Sequence, residues 1–147
     1  MGSNEGDRHL LLRLAIENIQ KSIGRVDKVS SFIETKSWGY ESENMYINAV
    51  VLVETSLSAQ DILATILDIE KSLGRVRRDK DNYEDRPIDI DILLIDDMII
   101  KEDSLTVPHR LMHKRMFVLQ PLLEIDPNVK EPHTNIPYSE YLKLLRT

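Results

Sequence analysis

Residues 45–54 read Met45-Tyr46-Ile47-Asn48-Ala49-Val50-Val51-Leu52-Val53-Glu54, a run of β-branched and apolar types that predicts one well-buried strand. Upstream, Leu11, Ala15, Ile19 and Ile23 recur every four residues and, with Leu12 and Ile16, predict a helix over 9–24 that stops at Gly24. Residues 29–36 alternate weakly and end in a loop at Lys36-Ser37-Trp38-Gly39. Downstream, Ser58 with Asp61 three residues on forms a near capping box. The helix it opens turns Ile62, Ile66 and Ile69 inward and stops near Gly74. A polar segment, 75–87, follows, and loops of that length tend to be functional. Then come a strand over 88–95, a helix at 110–123 and a short helix at 138–145. Helix, strand, strand, helix, strand is an α+β order, with helices packed on a mostly antiparallel sheet. The start, Gly2-Ser3-Asn4, leaves no room for a strand before the first helix.

With 147 residues the chain is expected to form a single domain over 1–147. At 41% hydrophobic and 30% charged it is neither a disordered tail nor a membrane protein. It has no cysteine, which removes thiolate metal sites and cysteine nucleophiles. That composition, and a start without a basic region followed by an apolar one, give the expectation of a cytoplasmic protein without a signal peptide. A net charge of −6 argues against broad nucleic-acid binding but not against a small anionic ligand held by clustered arginines.

The strongest chemical signal is Ile88-Asp89-Ile90-Asp91-Ile92. In a strand, Asp89 and Asp91 share one face roughly 6.5 Å apart while the isoleucines face the core. Such carboxylates repel by about 2.5 kcal/mol at an effective dielectric of ~20. A divalent cation with oxygen ligands, such as Mg²⁺, turns that cost into a site. A solvated strand face leaves the same D-x-D pattern, so the spacing by itself decides nothing. Arg75, Arg77, Arg78, Arg86 and Arg115 could provide guanidinium forks for phosphates, or could pair with Asp79, Asp81, Glu84 and Asp85. Tyr46 and Asn48 share a strand face, where an aromatic plane beside an amide suits a flat heterocycle. An ordinary strand edge with polar residues is the commoner source of the same pair. His109 follows Pro108 and could donate to a phosphate. There is no P-loop, no H-E-x-x-H and no G-x-S-x-G, so nucleotide chemistry here needs another scaffold.

These blocks, in order, resemble the 6-hydroxymethyl-7,8-dihydropterin pyrophosphokinases of folate biosynthesis. The matching text includes Gly2-Ser3-Asn4, Ser31-Phe32-Ile33-Glu34-Thr35, Tyr46-Ile47-Asn48-Ala49, Gly74-Arg75-Val76-Arg77, Arg86-Pro87-Ile88-Asp89-Ile90-Asp91-Ile92, Leu105-Thr106-Val107-Pro108-His109 and Arg115-Met116-Phe117. The resemblance implies a ferredoxin-like sandwich and transfer of the β,γ-pyrophosphoryl group of ATP to the pterin hydroxymethyl oxygen. It implies that Asp89 and Asp91 hold two Mg²⁺ ions, with Arg86, Arg77 and Arg115 as further catalytic residues. It assigns ATP contacts to Glu70, Arg77, Tyr83, Ile92, Thr106, His109 and Arg115. The pterin falls to Thr35, Trp38, Tyr46, Asn48 and Phe117, with Tyr46 and Phe117 sandwiching the ring. Segment 75–87 becomes a lid. The expected partners are those two small molecules, with no nucleic acid and no membrane, and the chain is expected to be a monomer or weak dimer.

Three departures from the family pattern stand out. Lys36-Ser37-Trp38-Gly39 replaces a common Pro-Pro-x-Gly, which puts Trp38 where an aliphatic contact is usual. Tyr83 stands where a tryptophan is common, in a loop one residue longer. The apolar first strand that usually precedes Gly-Ser-Asn is reduced to Met1, so the natural protein is expected to extend further. Two alternatives fit the same plan: a non-catalytic ligand- or RNA-binding domain, and a pyrophosphokinase that has lost activity.

Overall fold

The computed structural model describes residues 1–40, 42–75, 85 and 87–147. The expectations placed on Arg77, Tyr83 and Arg86, and most of the lid segment, lie outside those residues. In chain order the described elements are β1 (Gly2–Ser3), α1 (Arg8–Ser22), β2 (Arg25–Val29), β3 (Ile33–Thr35), β4 (Tyr46–Asn48), β5 (Val51–Glu54), α2 (Ala59–Ser72), β6 (Ile100–Lys101), β7 (Thr106–Val107), a 3₁₀ turn (Met112–Lys114), α3 (Met116–Ile125) and α4 (Tyr138–Leu145).

Helix α1 opens on Asp7, whose carboxylate accepts the Leu10 N–H at 3.1 Å and so satisfies an amide of the first turn. Leu12, Ala15 and Ile19 form its buried stripe. A Cβ at Gly24 would stand 2.1 Å from the Glu54 carbonyl oxygen, so only glycine lets β2 lie against β5. Helix α2 starts as the capping spacing predicts, with the Asp61 N–H on the Ser58 hydroxyl at 3.2 Å. It buries Ile62, Ile66 and Ile69 and ends at Gly74, whose φ of +97° suits a residue without Cβ.

The single strand predicted over 45–54 is two strands serving different ladders. β4 pairs with β1 and β3, and β5 pairs with β2, all antiparallel. The break falls where backbone partners change. Ala49 N–H donates to the Met1 carbonyl at 3.0 Å, and Val50 N–H donates to the Ser30 hydroxyl at 2.9 Å. The β6–β7 hairpin is a third ladder.

The strand predicted over 88–95 is extended chain with little ladder. Gly2 and Asp89 exchange N–H···O bonds at 2.8 Å each way, and the Ile90 N–H is taken by the Glu70 carboxylate at 2.9 Å. Gly2–Ser3 thus form a two-residue strand between β4 and Asp89, where the opening residues predict none. The helix predicted at 110–123 is interrupted: Arg115 is extended (φ −118°, ψ 104°) between the 3₁₀ turn and α3. α4 lies where it is predicted.

The apolar residues form two clusters. One joins Leu12, Ala15 and Ile19 of α1 and Ile62, Ile66 and Ile69 of α2 to Ile47, Ile88 and Ile90. The other gathers Val50, Met112, Leu119, Leu122, Ile125, Tyr138 and Leu142. Among the described residues no helix is long and apolar enough to cross a membrane.

Candidate active site

Residues 88–92 lie between the core and a cleft. Ile88 is fully buried and Ile90 nearly so. Strand-like alternation then sends Asp89 and Asp91 the other way, into a cleft of about 490 Å³ that both line. Asp91 opens onto the cleft with protein crowding its other sides. Withdrawal from bulk water, then the charge of Asp89, push its carboxyl up to about 6.

Asp89 is held from α2. Arg75 Nη1 donates to Asp89 Oδ1 at 3.0 Å and to Glu70 Oε2 at 2.5 Å. Glu70 is 2% exposed and is not among the residues lining the cleft. Its carboxylate instead organises Arg75 and the Ile90 N–H, fixing the backbone between the two aspartates.

His109 faces Asp91, its Nε2 3.9 Å from Oδ2. Its Nδ1 accepts the Leu111 N–H at 3.1 Å, so in the neutral ring the proton sits on Nε2. Burial and then the Arg115 charge lower its pKa to about 4, which keeps the ring neutral and a donor at neutral pH.

Arg115 is brought into the cleft by the break before α3 and is 8% exposed. Its guanidinium carbon lies 4.5 Å from the Trp38 ring centroid and 5.7 Å from that of Phe117. Its Nε is buried with no hydrogen-bond partner among the described residues. An orphan donor on a buried cation invites an anion.

The same cleft is lined by Thr35, Trp38, Tyr46, Asn48 and Phe117 and by Ile92 and Thr106. Asn48 Nδ2 donates to the Thr35 hydroxyl at 2.7 Å, leaving its carbonyl and second N–H for other partners. Tyr46 shares a 2.7 Å hydroxyl contact with Tyr40. One continuous concave surface thus carries planar and amide groups together with carboxylates, a neutral imidazole and a buried guanidinium.

Motif reading passes over three residues of this region. Arg75 is visible in sequence only as one arginine of several. Tyr40 carries no motif signal. Asp85 reads as a salt-bridge partner for arginines, yet its described donors are the neutral groups of Asn4, Tyr40, Ser42 and Asn44.

Comparison with known proteins gives a consistent result. Residues 1–127 match the family model described as 7,8-dihydro-6-hydroxymethylpterin-pyrophosphokinase. The chain is similar to the 2-amino-4-hydroxy-6-hydroxymethyldihydropteridine pyrophosphokinase of Aquifex aeolicus, 41% identical over 141 residues, covering 96% of this chain and 86% of that one. The Porphyromonas gingivalis protein of that name is 44% identical over 86% of this chain and 88% of its own length. The Bacillus subtilis one is 40% identical over 92% and 80%.

Proposed function

This chain belongs to the 7,8-dihydro-6-hydroxymethylpterin-pyrophosphokinase family, and we propose that it transfers the β,γ-pyrophosphoryl group of ATP to the hydroxymethyl oxygen of 6-hydroxymethyl-7,8-dihydropterin in folate biosynthesis. The bond between the α-phosphorus and the α,β-bridging oxygen stays with AMP, while the bond from that oxygen to the β-phosphorus breaks. A new bond joins the β-phosphorus to the pterin oxygen, and the hydroxyl proton is released. The carrying observation is that one cleft presents a flat-heterocycle surface and a phosphate-suited cluster side by side.

Tyr46 and Phe117 flank the pterin ring, Asn48 and Thr35 read its edge, and Trp38 closes the side over Arg115. Arg115 neutralises phosphate charge and the Nε2–H of His109 orients phosphate oxygens, with Ile92 and Thr106 on the nucleotide side. Arg77, Arg86 and Tyr83 belong to the same reading by family likeness. Transfer at phosphorus asks mainly for positioning and charge neutralisation, and these groups provide both.

Asp89 and Asp91 fit Mg²⁺. Both are oxygen donors on one cleft wall, and a divalent cation between them would relieve the repulsion that Asp89 adds to the desolvation of Asp91. Two ions held there supply charge neutralisation at the phosphates when bound. The finer fold in this reading is a ferredoxin-like sandwich, supported by α1 and α2 sharing one core cluster.

The test is incubation with Mg-ATP and the reduced pterin, with nucleotide products separated. AMP formed only when pterin is present is the expected result. ADP would mean ordinary kinase chemistry, and no product would reject the reaction.

A further inference from the structure

Asp85 gathers four donors from two distant parts of the chain. Asn4 Nδ2 donates to its Oδ1 at 2.7 Å, and the Tyr40 hydroxyl donates to the same oxygen at 3.0 Å. The Ser42 hydroxyl and the Asn44 amide donate to Oδ2 at 2.9 and 2.8 Å. Burial alone would raise this carboxyl, but the bonds from Ser42, Asn4, Tyr40 and Asn44 outweigh it and hold the pKa below the ordinary range. The group is therefore an anion at neutral pH, and its bonds are charge-assisted.

One of those bonds carries further. Tyr40 has a single hydroxyl proton. Given to Asp85, it leaves the Tyr40 oxygen as an acceptor. The Tyr46 hydroxyl, 2.7 Å from it, must then be the donor. Tyr46 opens β4 and lines the cleft beside Tyr40. Asp85 also stands four positions before Asp89 on the same stretch of chain. One carboxylate thus ties the connection between β3 and β4 to the segment that leads into the paired aspartates.

We propose that Asp85 is a positioning residue for the pterin side of the cleft, fixing the Tyr46 ring through Tyr40 and holding Ser42 and Asn44 in place through their own bonds to it. The proposal rests on the pterin reading of this cleft given above. Its physical effect is to order the Tyr46 wall before substrate arrives, so that binding need not order it.

The experiment uses the full chain with Asp85→Ala, Asp85→Asn and Tyr40→Phe. Pterin affinity is measured by calorimetry, and AMP formation is followed with each substrate varied in turn. Asp85→Ala and Tyr40→Phe are expected to raise the pterin Kd and KM roughly tenfold, the scale of one lost charge-assisted bond. The KM for ATP should stay within about twofold. Asp85→Asn keeps an oxygen acceptor for Tyr40 but loses the charge and turns an NH₂ toward Ser42 and Asn44, so it should recover only part of the pterin affinity. Tyr40→Phe removes one hydroxyl and keeps the test open if Asp85→Ala does not fold. Equal rises for both substrates, or unchanged pterin affinity, would overturn the proposal. Wild-type protein that binds pterin but makes no AMP would reject the reaction, and the Asp85 role would still be read from binding. Wild-type protein that binds no pterin would overturn both.

Discussion

Arg75 lies 3.0 Å from Asp89, joining the end of α2 to the carboxylate wall of the cleft. The same Nη1 meets Glu70, which also takes the Ile90 N–H. Glu70→Ala therefore strips a buried cation of one partner and leaves a buried amide unpaired. The expected cost is about 3 kcal/mol, read as a lower denaturation midpoint. An unchanged midpoint would show that Glu70 does not organise this wall.

A change at Asp91 is expected to separate the proposed catalysis from stability. Its carboxyl is raised to about 6, so the fold penalises its ionised form. Asp91→Asn removes one of two repelling charges at nearly constant shape. AMP formation should fall at least about a hundredfold while the apo thermal midpoint stays level or rises. A stability loss as large as the activity loss would contradict this account.

Trp38 covers Arg115 at 4.5 Å. A cation over an indole face is worth about 0.5–2 kcal/mol. Trp38→Leu should lower kcat/KM several-fold, and Trp38→Phe should lower it less. Equal rates for all three proteins would remove Trp38 from the site.

Glu131, at a distance from the cleft, is expected to contribute to acid stability. Burial opposes its ionisation, but bonds from His133 and Thr134 lower its pKa to about 2. A folded pKa below the unfolded value of 4.5 gives stability that is present above 4.5 and lost as pH falls towards 2. Glu131→Gln should lower stability at pH 7 by about 1 kcal/mol, a figure kept small because solvent still reaches the group. The wild-type advantage should vanish near pH 2. A pH-independent difference would mean that charge is not the cause.

Local rules made much of this chain legible. The Ser58 cap, the four-residue repeat of α1 and the span of α4 depend on neighbours within one or two turns, and all stand where spacing puts them. The paired aspartates point into the cleft because strand-like alternation survives even where the ladder does not. The two-strand break at Ala49-Val50 was hidden, because it depends on the Ser30 hydroxyl and the Met1 carbonyl. The interruption at Arg115 was hidden too, since 110–123 is apolar enough to read as one helix.

Adjacent residues were enough to specify the α+β order, the shared face of Asp89 and Asp91 and the family motifs, because periodicity and motif spacing are local properties. The folded chain was needed to show that Glu70 sits behind the wall rather than on it, that Arg115 stacks under Trp38, and that Asp85 binds Asn4 and Tyr40, which lie 81 and 45 positions away. Such bonds form between groups whose meeting is set by packing of the whole chain, and no local pattern encodes which donor will arrive.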